Sequence, residues 1–551
     1  MQRSERYALT AIVILSLFLT LYRLNKSAMV AVDEGLYFNF VKTMRVPVDF
    51  TISRFNNKLA NLSFVQYLQQ KGGIIYMAGK PTYLGVAFLA SLLIGLKDYT
   101  LPIVSALAGV LILILVFFIS RRLKDTGLGV ISVLLLAVSW FHLTYSRSAF
   151  PHVTGTFFAY LAFLLYLMAQ DSGNTNRKKN MIIFLYGVSI GLAVTTHYYF
   201  YWLIFLFGML ELINFVRGAI NKESPFGRFL IWSFGLLLPI LFWQAVTFII
   251  KSWIDLHPDY LRLSKGMSGE GGFVSYFEQL YSQVSASNRQ TGYQGNLWFY
   301  PRIIFLKEGL PFLLAFVTGL DIMLWRTIRK PGANVNILIL TSYFLITYVS
   351  LGLYSHFPTT RTFYIAIPAM CIIAAYPLSI IFSKRNLLPG IFLTTAVLAV
   401  QLSSSLPILR SSSGFKDAID FMHNNKGVKH LSSNYLISRV YVDRDQAFDM
   451  SFSYRDKDID PSGKTHIDIK KLKDFAVAND VHYLLLDQYR FNYPNEILRA
   501  STKLKPLFSE KHSTFNFLYD NKESQQKSIL ESDQTIDIYD LNEVVRTIER
   551  G

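Results

Sequence analysis

Residues 100–124 read TLPIVSALAGVLILILVFFISRRLK. The run 100–120 holds no charged side chain and ends on Arg121, Arg122 and Lys124. A helix needs about 20 mostly apolar residues to cross a bilayer, and short cytoplasmic loops collect Lys and Arg. This one stretch therefore predicts both a membrane span and its direction.

The same pattern recurs on either side. Apolar runs at 7–25, 126–145, 151–170, 181–197, 198–216, 229–250, 303–325, 335–354, 361–382 and 387–406 join 100–120 to give eleven expected spans. Further basic clusters are Arg177, Lys178 and Lys179; Arg217, Lys222 and Arg228; Arg326, Arg329 and Lys330; and Lys384 with Arg385. Two spans separate each cluster from the next, so all can share the cytoplasmic side, together with Arg3, Arg6 and the N-terminus. The apolar stretch 81–96 is short and begins with Pro, and counting it as a span would break this agreement. It is expected to be interfacial or re-entrant. The first run lacks a small-residue cleavage site and is read as a signal anchor.

Composition agrees. Of 551 residues, 52% are hydrophobic and 17% charged. Soluble domains run at about 45–50% and about 25%. An ordinary soluble enzyme and a disordered chain are both excluded. The aromatic share of 15% suits wide membrane interfaces. One cysteine leaves no intramolecular disulfide. A net charge of +17 would suggest nucleic acid in a soluble protein. Here the basic residues fall in the inside loops, so no nucleic-acid partner is expected.

The expected fold is a polytopic α-helical membrane domain, 1–406, followed by an extracytoplasmic α/β domain, 407–551. Two large outside loops, 26–99 and 251–302, belong to the first. In the tail, helical patterns at 415–425 and 468–479 alternate with the apolar run Val481–Leu485 and with short strands at 429–433, 514–519 and 535–540. No phosphate-cradling Gly motif is found there, and a docking or substrate-guiding role is the plain reading. The single cysteine and the anchor point to a prokaryotic plasma (inner) membrane.

Candidate chemistry lies outside. Asp33 and Glu34 follow the first span and open a helical pattern through Leu36, Phe40, Val41 and Met44. Asp33 there is a good N-cap. Functionally, a carboxylate at the membrane surface can deprotonate a hydroxyl, with partial desolvation raising its pKa toward a useful value. Lys80 and Pro81 precede the interfacial helix. Lys80 is either a snorkelling anchor or a cation for a lipid phosphate.

This order of features resembles the C-class (GT-C) membrane glycosyltransferases, in the branch of the protein O-mannosyltransferases and the lipid A aminoarabinose transferase. Residues 145–152 (YSRSAFPH), 191–198 (GLAVTTHY), 295–300 (GNLWFY) and 361–368 (RTFYIAIP) resemble further family segments in the family's order. The resemblance covers about residues 1–400. It implies inverting transfer of a sugar from a polyprenyl-phosphate donor to an acceptor hydroxyl on a lipid, glycan or protein at the outer face. It maps Asp33 onto the general base and Glu34 onto a positioning acid. Lys80, Arg361 and, less directly, Arg147 map onto the donor phosphate. His152, His197, Tyr83 and His257 are candidates for acceptor or cavity contacts. No cofactor is required. A divalent metal bridging two acidic loops is not supported, because many relatives have an acid where this chain has His152. A ligase using a pyrophosphate carrier, a transporter or flippase of lipid-linked sugars, and a scaffold displaying the tail are the alternatives.

Overall fold

The computed structural model describes residues 3–26, 32–56, 63–64, 66–67, 79–171, 175–220, 225–258, 274–289, 297–329, 335–354, 359–383, 387–425, 427–450, 467–487, 495–513 and 533–550. The expected strand at 514–519, and Lys222, Lys330, Lys384 and Arg385 of the basic clusters, lie outside these residues.

The membrane part is helical throughout. Its helices are α1 Arg3–Leu21, α2 Val32–Phe55, α3 Pro81–Ile94, α4 Thr100–Leu123, α5 Thr126–Val138, α6 Trp140–Ser146, α7 Pro151–Ala169, α8 Asn176–Thr196, α9 Trp202–Ile220 and α10 Pro225–Asp255. They continue as α11 Tyr276–Arg289, α12 Phe299–Glu308, α13 Leu310–Arg329, α14 Val335–Val349, α15 Thr360–Phe363, α16 Ile367–Ser383 and α17 Leu387–Leu409.

Among the described residues nine helices are long and apolar enough to span a bilayer, and ten if the bent pair α5 and α6 is one span. Eleven were expected. The remaining one, at 7–25, corresponds to α1, which starts on Arg3, Glu5 and Arg6. It nevertheless runs the length of the bundle. Glu5 accepts a hydrogen bond from Thr126 at one end, and the Leu19, Thr20 and Tyr22 carbonyls meet Arg147 at the other. The helix α3 has 14 residues, which at 1.5 Å each reach about 21 Å, short of the roughly 30 Å hydrocarbon core.

The basic residues at the close of α4 and of α13 meet one end of the bundle. Contacts tie that end together: Arg122 to Asp171 at 3.0 Å, Lys124 to Ser379 at 2.8 Å and Arg326 to Tyr376 at 2.6 Å. Inside the bundle α7, α8 and α16 are largely buried. The flank of α10 bearing Phe234, Leu241 and Phe248 is exposed and apolar, as a lipid-facing surface must be. Small residues let backbones approach where apolar burial alone gives no preference between lipid and protein. A Cβ on Gly191 would lie 2.4 Å from the Leu236 carbonyl of α10, so only glycine fits at that crossing.

Ser139 separates α5 from α6, which bend by 61°. Its hydroxyl accepts from the His142 N–H at 3.3 Å. The buried Glu308 carboxylate accepts from the Ser139 hydroxyl at 2.6 Å, the Phe141 N–H at 3.2 Å and Gln401 at 2.5 Å. Backbone donors freed by a helix break need such partners at membrane depth. Lys307 does not pair with Glu308 and instead stands 5.2 Å from the centre of the Trp140 ring.

The tail forms a small α/β domain, as expected. Its elements are α18 Phe415–His423, β1 His430–Ser432, α19 Tyr435–Tyr441, β2 Ala447–Asp449, α20 Ile469–Asn479, β3 Tyr483–Asp487, α21 Asn495–Lys503, β4 Phe508–Ser513, β5 Asp533–Asp540 and α22 Leu541–Glu549. The sheet order is β2-β1-β3-β5-β4, parallel from β2 to β3 and antiparallel thereafter.

This domain seats on α2 through α19. A Cβ on Gly35 would lie 2.7 Å from the Leu436 carbonyl. Asn39 donates to that carbonyl at 2.9 Å. Lys42 donates to the Arg439 and Val442 carbonyls at 3.3 and 3.0 Å, at the negative end of α19.

Candidate functional site

The first turn of α2 is fixed by Glu34. Its side chain is buried, and Oε1 accepts from the Ala149 N–H at 2.7 Å. Residue 149 lies between α6 and α7, so the bent span and α2 are tied together here. Asp33, beside it, does not cap the helix as its position suggested. It lies inside the first turn, and its Oδ2 accepts from Nη1 of Arg361 at 2.6 Å.

Arg361 is presented by the four-residue helix α15, whose start is capped by Thr359. Thr360 is hydrogen-bonded to the Tyr145 hydroxyl, and the Phe363 ring stacks on Tyr300 at 4.2 Å. The guanidinium itself lies 5.0 Å from the centre of the Phe150 ring. The helix is thus pinned through Thr360 and Phe363, and the Arg361 side chain lies against Phe150 while one edge reaches the carboxylate.

Lys80 comes from a third segment. It stands at the N-cap of α3, with Pro81 at the first helical position. The start of α3 is anchored by Thr82, which is hydrogen-bonded to Thr195 at 2.7 Å and accepts from the Trp243 indole at 2.8 Å. The Lys80 ammonium lies 5.4 Å from the centre of the Tyr37 ring, one helical turn beyond Asp33. Tyr37 meets the fully buried Tyr83 edge to face at 5.9 Å.

The three charges act on one another. Burial brings the Lys80 ammonium down to about 8; Asp33 opposes this and Arg361 reinforces it. For Asp33, burial alone pushes the carboxyl up. The Arg361 guanidinium, by charge and by its hydrogen bond, and then Lys80 outweigh burial and hold it below the ordinary value. This corrects the expectation that desolvation would raise it. The partner that reverses the sign is more than three hundred residues away in the chain.

His152 and His197 also belong to this cluster. Their rings stand 4.6 Å apart, both are buried, and both feel the charges of Lys80 and Arg361. His197 Nδ1 accepts from the Tyr199 N–H at 3.2 Å. Arg147 is not brought to the cluster. Its Nη1 donates to the Leu19, Thr20 and Tyr22 carbonyls at 2.9, 3.1 and 2.8 Å, closing the end of α1. His257 is exposed beyond the end of α10, where Nδ1 bonds the Trp253 carbonyl at 2.7 Å. Tyr37 and Phe150, which face Lys80 and Arg361, were not singled out in the sequence. Tyr37 could have been found from its spacing of four from Asp33. Among the described residues no group of three or more His, Cys, Asp or Glu side chains converges as a metal site.

Residues 71–255 match the model of the dolichyl-phosphate-mannose-protein mannosyltransferase family. Among solved structures, ArnT from Cupriavidus metallidurans bound to undecaprenyl phosphate is similar over 98% of each chain, with 12% identity and a TM-score of 0.57. The Archaeoglobus fulgidus oligosaccharyltransferase, tethered through a disulfide bond to an acceptor peptide with the NVT sequon, is similar over 89% of this chain and 69% of its own. It is 14% identical, with a TM-score of 0.53. No curated protein sequence matches.

Proposed function

We propose that the chain is a membrane glycosyltransferase of the GT-C type, on the branch that holds the protein mannosyltransferases and ArnT, and that it moves a sugar from a polyprenyl-phosphate carrier onto an acceptor hydroxyl at the outer face of the plasma membrane. One observation carries this reading: Asp33, Lys80 and Arg361, from three distant segments, converge at the end of the bundle that the α/β domain covers.

Before donor binds, Arg361 neutralises Asp33. A polyprenyl-phosphate sugar brings an anionic phosphodiester, which Arg361 can grip with two donors and Lys80 as a compact charge. Arg361 turns toward the phosphate, and Asp33 loses the partner that holds its carboxyl down. Burial then raises it into a range where it takes a proton from an acceptor hydroxyl. The acceptor oxygen attacks the anomeric carbon from the side opposite the phosphate, and the sugar is inverted. Lys80 and Arg361 stabilise the charge that grows on the leaving phosphate. Glu34 acts through position, holding the turn that carries Asp33 against residue 149.

Orientation follows from the basic end, which faces the cytoplasm. The acceptor is a hydroxyl on a lipid, glycan or protein that meets the site from outside. The test is transfer from a labelled polyprenyl-phosphate sugar in membranes carrying the Asp33→Asn chain. Transfer at the wild-type rate would rule out Asp33 as the base.

A further inference from the structure

His152 has no hydrogen-bond partner at either ring nitrogen among the described residues, and the side chain is 2% exposed. A neutral imidazole offers one donor and one acceptor, and an imidazolium offers two donors. Buried groups of this kind are rarely left unpartnered without a reason. The ring packs 4.6 Å from His197 and 6.1 Å from Phe150, centre to centre. The charged and titratable groups facing the two imidazoles are Lys80 at the head of α3, Arg361 on α15, and Tyr198 and Tyr199 in the turn after α8. Asp33 is engaged by Arg361.

The reaction itself creates a need for such a group. This step rests on the donor reading above. The acceptor oxygen bonds to the anomeric carbon as the bond from that carbon to the phosphate oxygen breaks. The electron pair stays on the phosphate. A phosphodiester with one negative charge thereby becomes a monoester with nearly two at neutral pH. The acceptor proton, first on Asp33, is left over. Lys80 and Arg361 already act on the imidazoles with positive charge, so a proton can join them only along with added negative charge.

We propose that His152, with His197 packed against it, takes up that proton and holds the product polyprenyl phosphate as an imidazolium between Lys80 and Arg361. The histidine that stands at this position thus makes product formation and proton storage one event. Release of the lipid then returns the proton to solvent.

The test uses the purified full chain in lipid nanodiscs near neutral pH, with undecaprenyl phosphate and its methyl ester as probes. Titration calorimetry in buffers of different ionisation enthalpy counts the protons exchanged on binding. The monoester should draw roughly one proton from buffer, because it carries the second charge. The methyl ester, a singly charged diester like the donor, should draw almost none. In the His152→Gln chain, monoester binding should persist with the proton uptake largely lost. Equal uptake for the two lipids, or unchanged uptake in His152→Gln, overturns the proposal while leaving the donor reading intact. The comparison of the two lipids on the wild-type chain stands even if His152→Gln fails to fold. Failure of the wild-type chain to bind either lipid overturns the donor reading and this inference with it.

Discussion

Asp33 and Arg361 are 328 residues apart in the chain, yet their side chains meet at 2.6 Å. The pair joins the first turn of α2 to the short helix α15, and it reverses the effect of burial on the Asp33 carboxyl. An aspartate so held is a poor base until its partner is drawn away. On the proposed mechanism, the same contact restrains the base until an anionic donor draws Arg361 away.

Replacing Asp33 by Asn should lower turnover about 10²–10⁴-fold, the usual contribution of a general base. Affinity for undecaprenyl phosphate should be equal to or tighter than that of the wild type, since Arg361 is no longer engaged. Transfer assays and lipid-binding titrations on the same preparation separate the two effects. Weakened lipid binding with unchanged turnover would contradict this assignment.

Lys80 predicts a pH dependence. Burial brings its ammonium from 10.5 to about 8. Phosphate affinity should be full below that value and fall as pH rises through it, because the charged form is lost. Lys80→Ala should weaken binding at neutral pH roughly ten-fold or more, in line with a lost hydrogen bond to a charged group, and should flatten the fall near 8. Lys80→Arg should keep the charge and move the fall to higher pH. A wild-type affinity that is flat across this range would count against Lys80 as the phosphate cation.

At Glu34, oxygen and charge can be told apart. Glu34→Gln keeps an oxygen for the Ala149 N–H and should unfold near the wild-type temperature. Glu34→Ala leaves that buried donor without an acceptor and should cost about 1–3 kcal/mol. Thermal unfolding in detergent compares them. If both variants lose the same stability, the charge and not the hydrogen bond is what the turn needs.

Gly35→Ala should loosen the tail domain from α2. The new Cβ meets the Leu436 backbone, which cannot turn aside, and overpacking of this kind costs about 1–3 kcal/mol. Faster proteolysis near 410–414 and reduced transfer are expected together. Gly227→Ala, where nothing lies within 4 Å, should change neither.

The spans were legible because a bilayer imposes a length and a composition that survive without any knowledge of packing. The break at Ser139 was not. Residues 126–145 read as one apolar run, and what divides them is Glu308, a buried acceptor 169 residues from Ser139. The edge strands β2 and β4 escaped because three residues, or the polar FSEKHS, carry no alternation. Asp33, Lys80 and Arg361 were singled out by resemblance and by position near span ends, and the fold brings them together. Arg147 was assigned to a phosphate because an arginine beside a span looks the same whether it meets an anion or a helix end. Only the placement of α1 distinguishes the two.

The seating of α19 on α2 also sets an order of assembly. Asn39 bonds a carbonyl 397 residues downstream, and Lys42 one 400 residues downstream. During synthesis the helix bearing Asp33 emerges among the first elements, but its seat is among the last to be made. Every intervening span must insert, and the tail must fold, before that turn is locked. On the proposed mechanism the Asp33 base is thus completed only in a chain that has been fully threaded, and a truncated or misinserted one carries Asp33, Lys80 and Arg361 without the frame that aligns them.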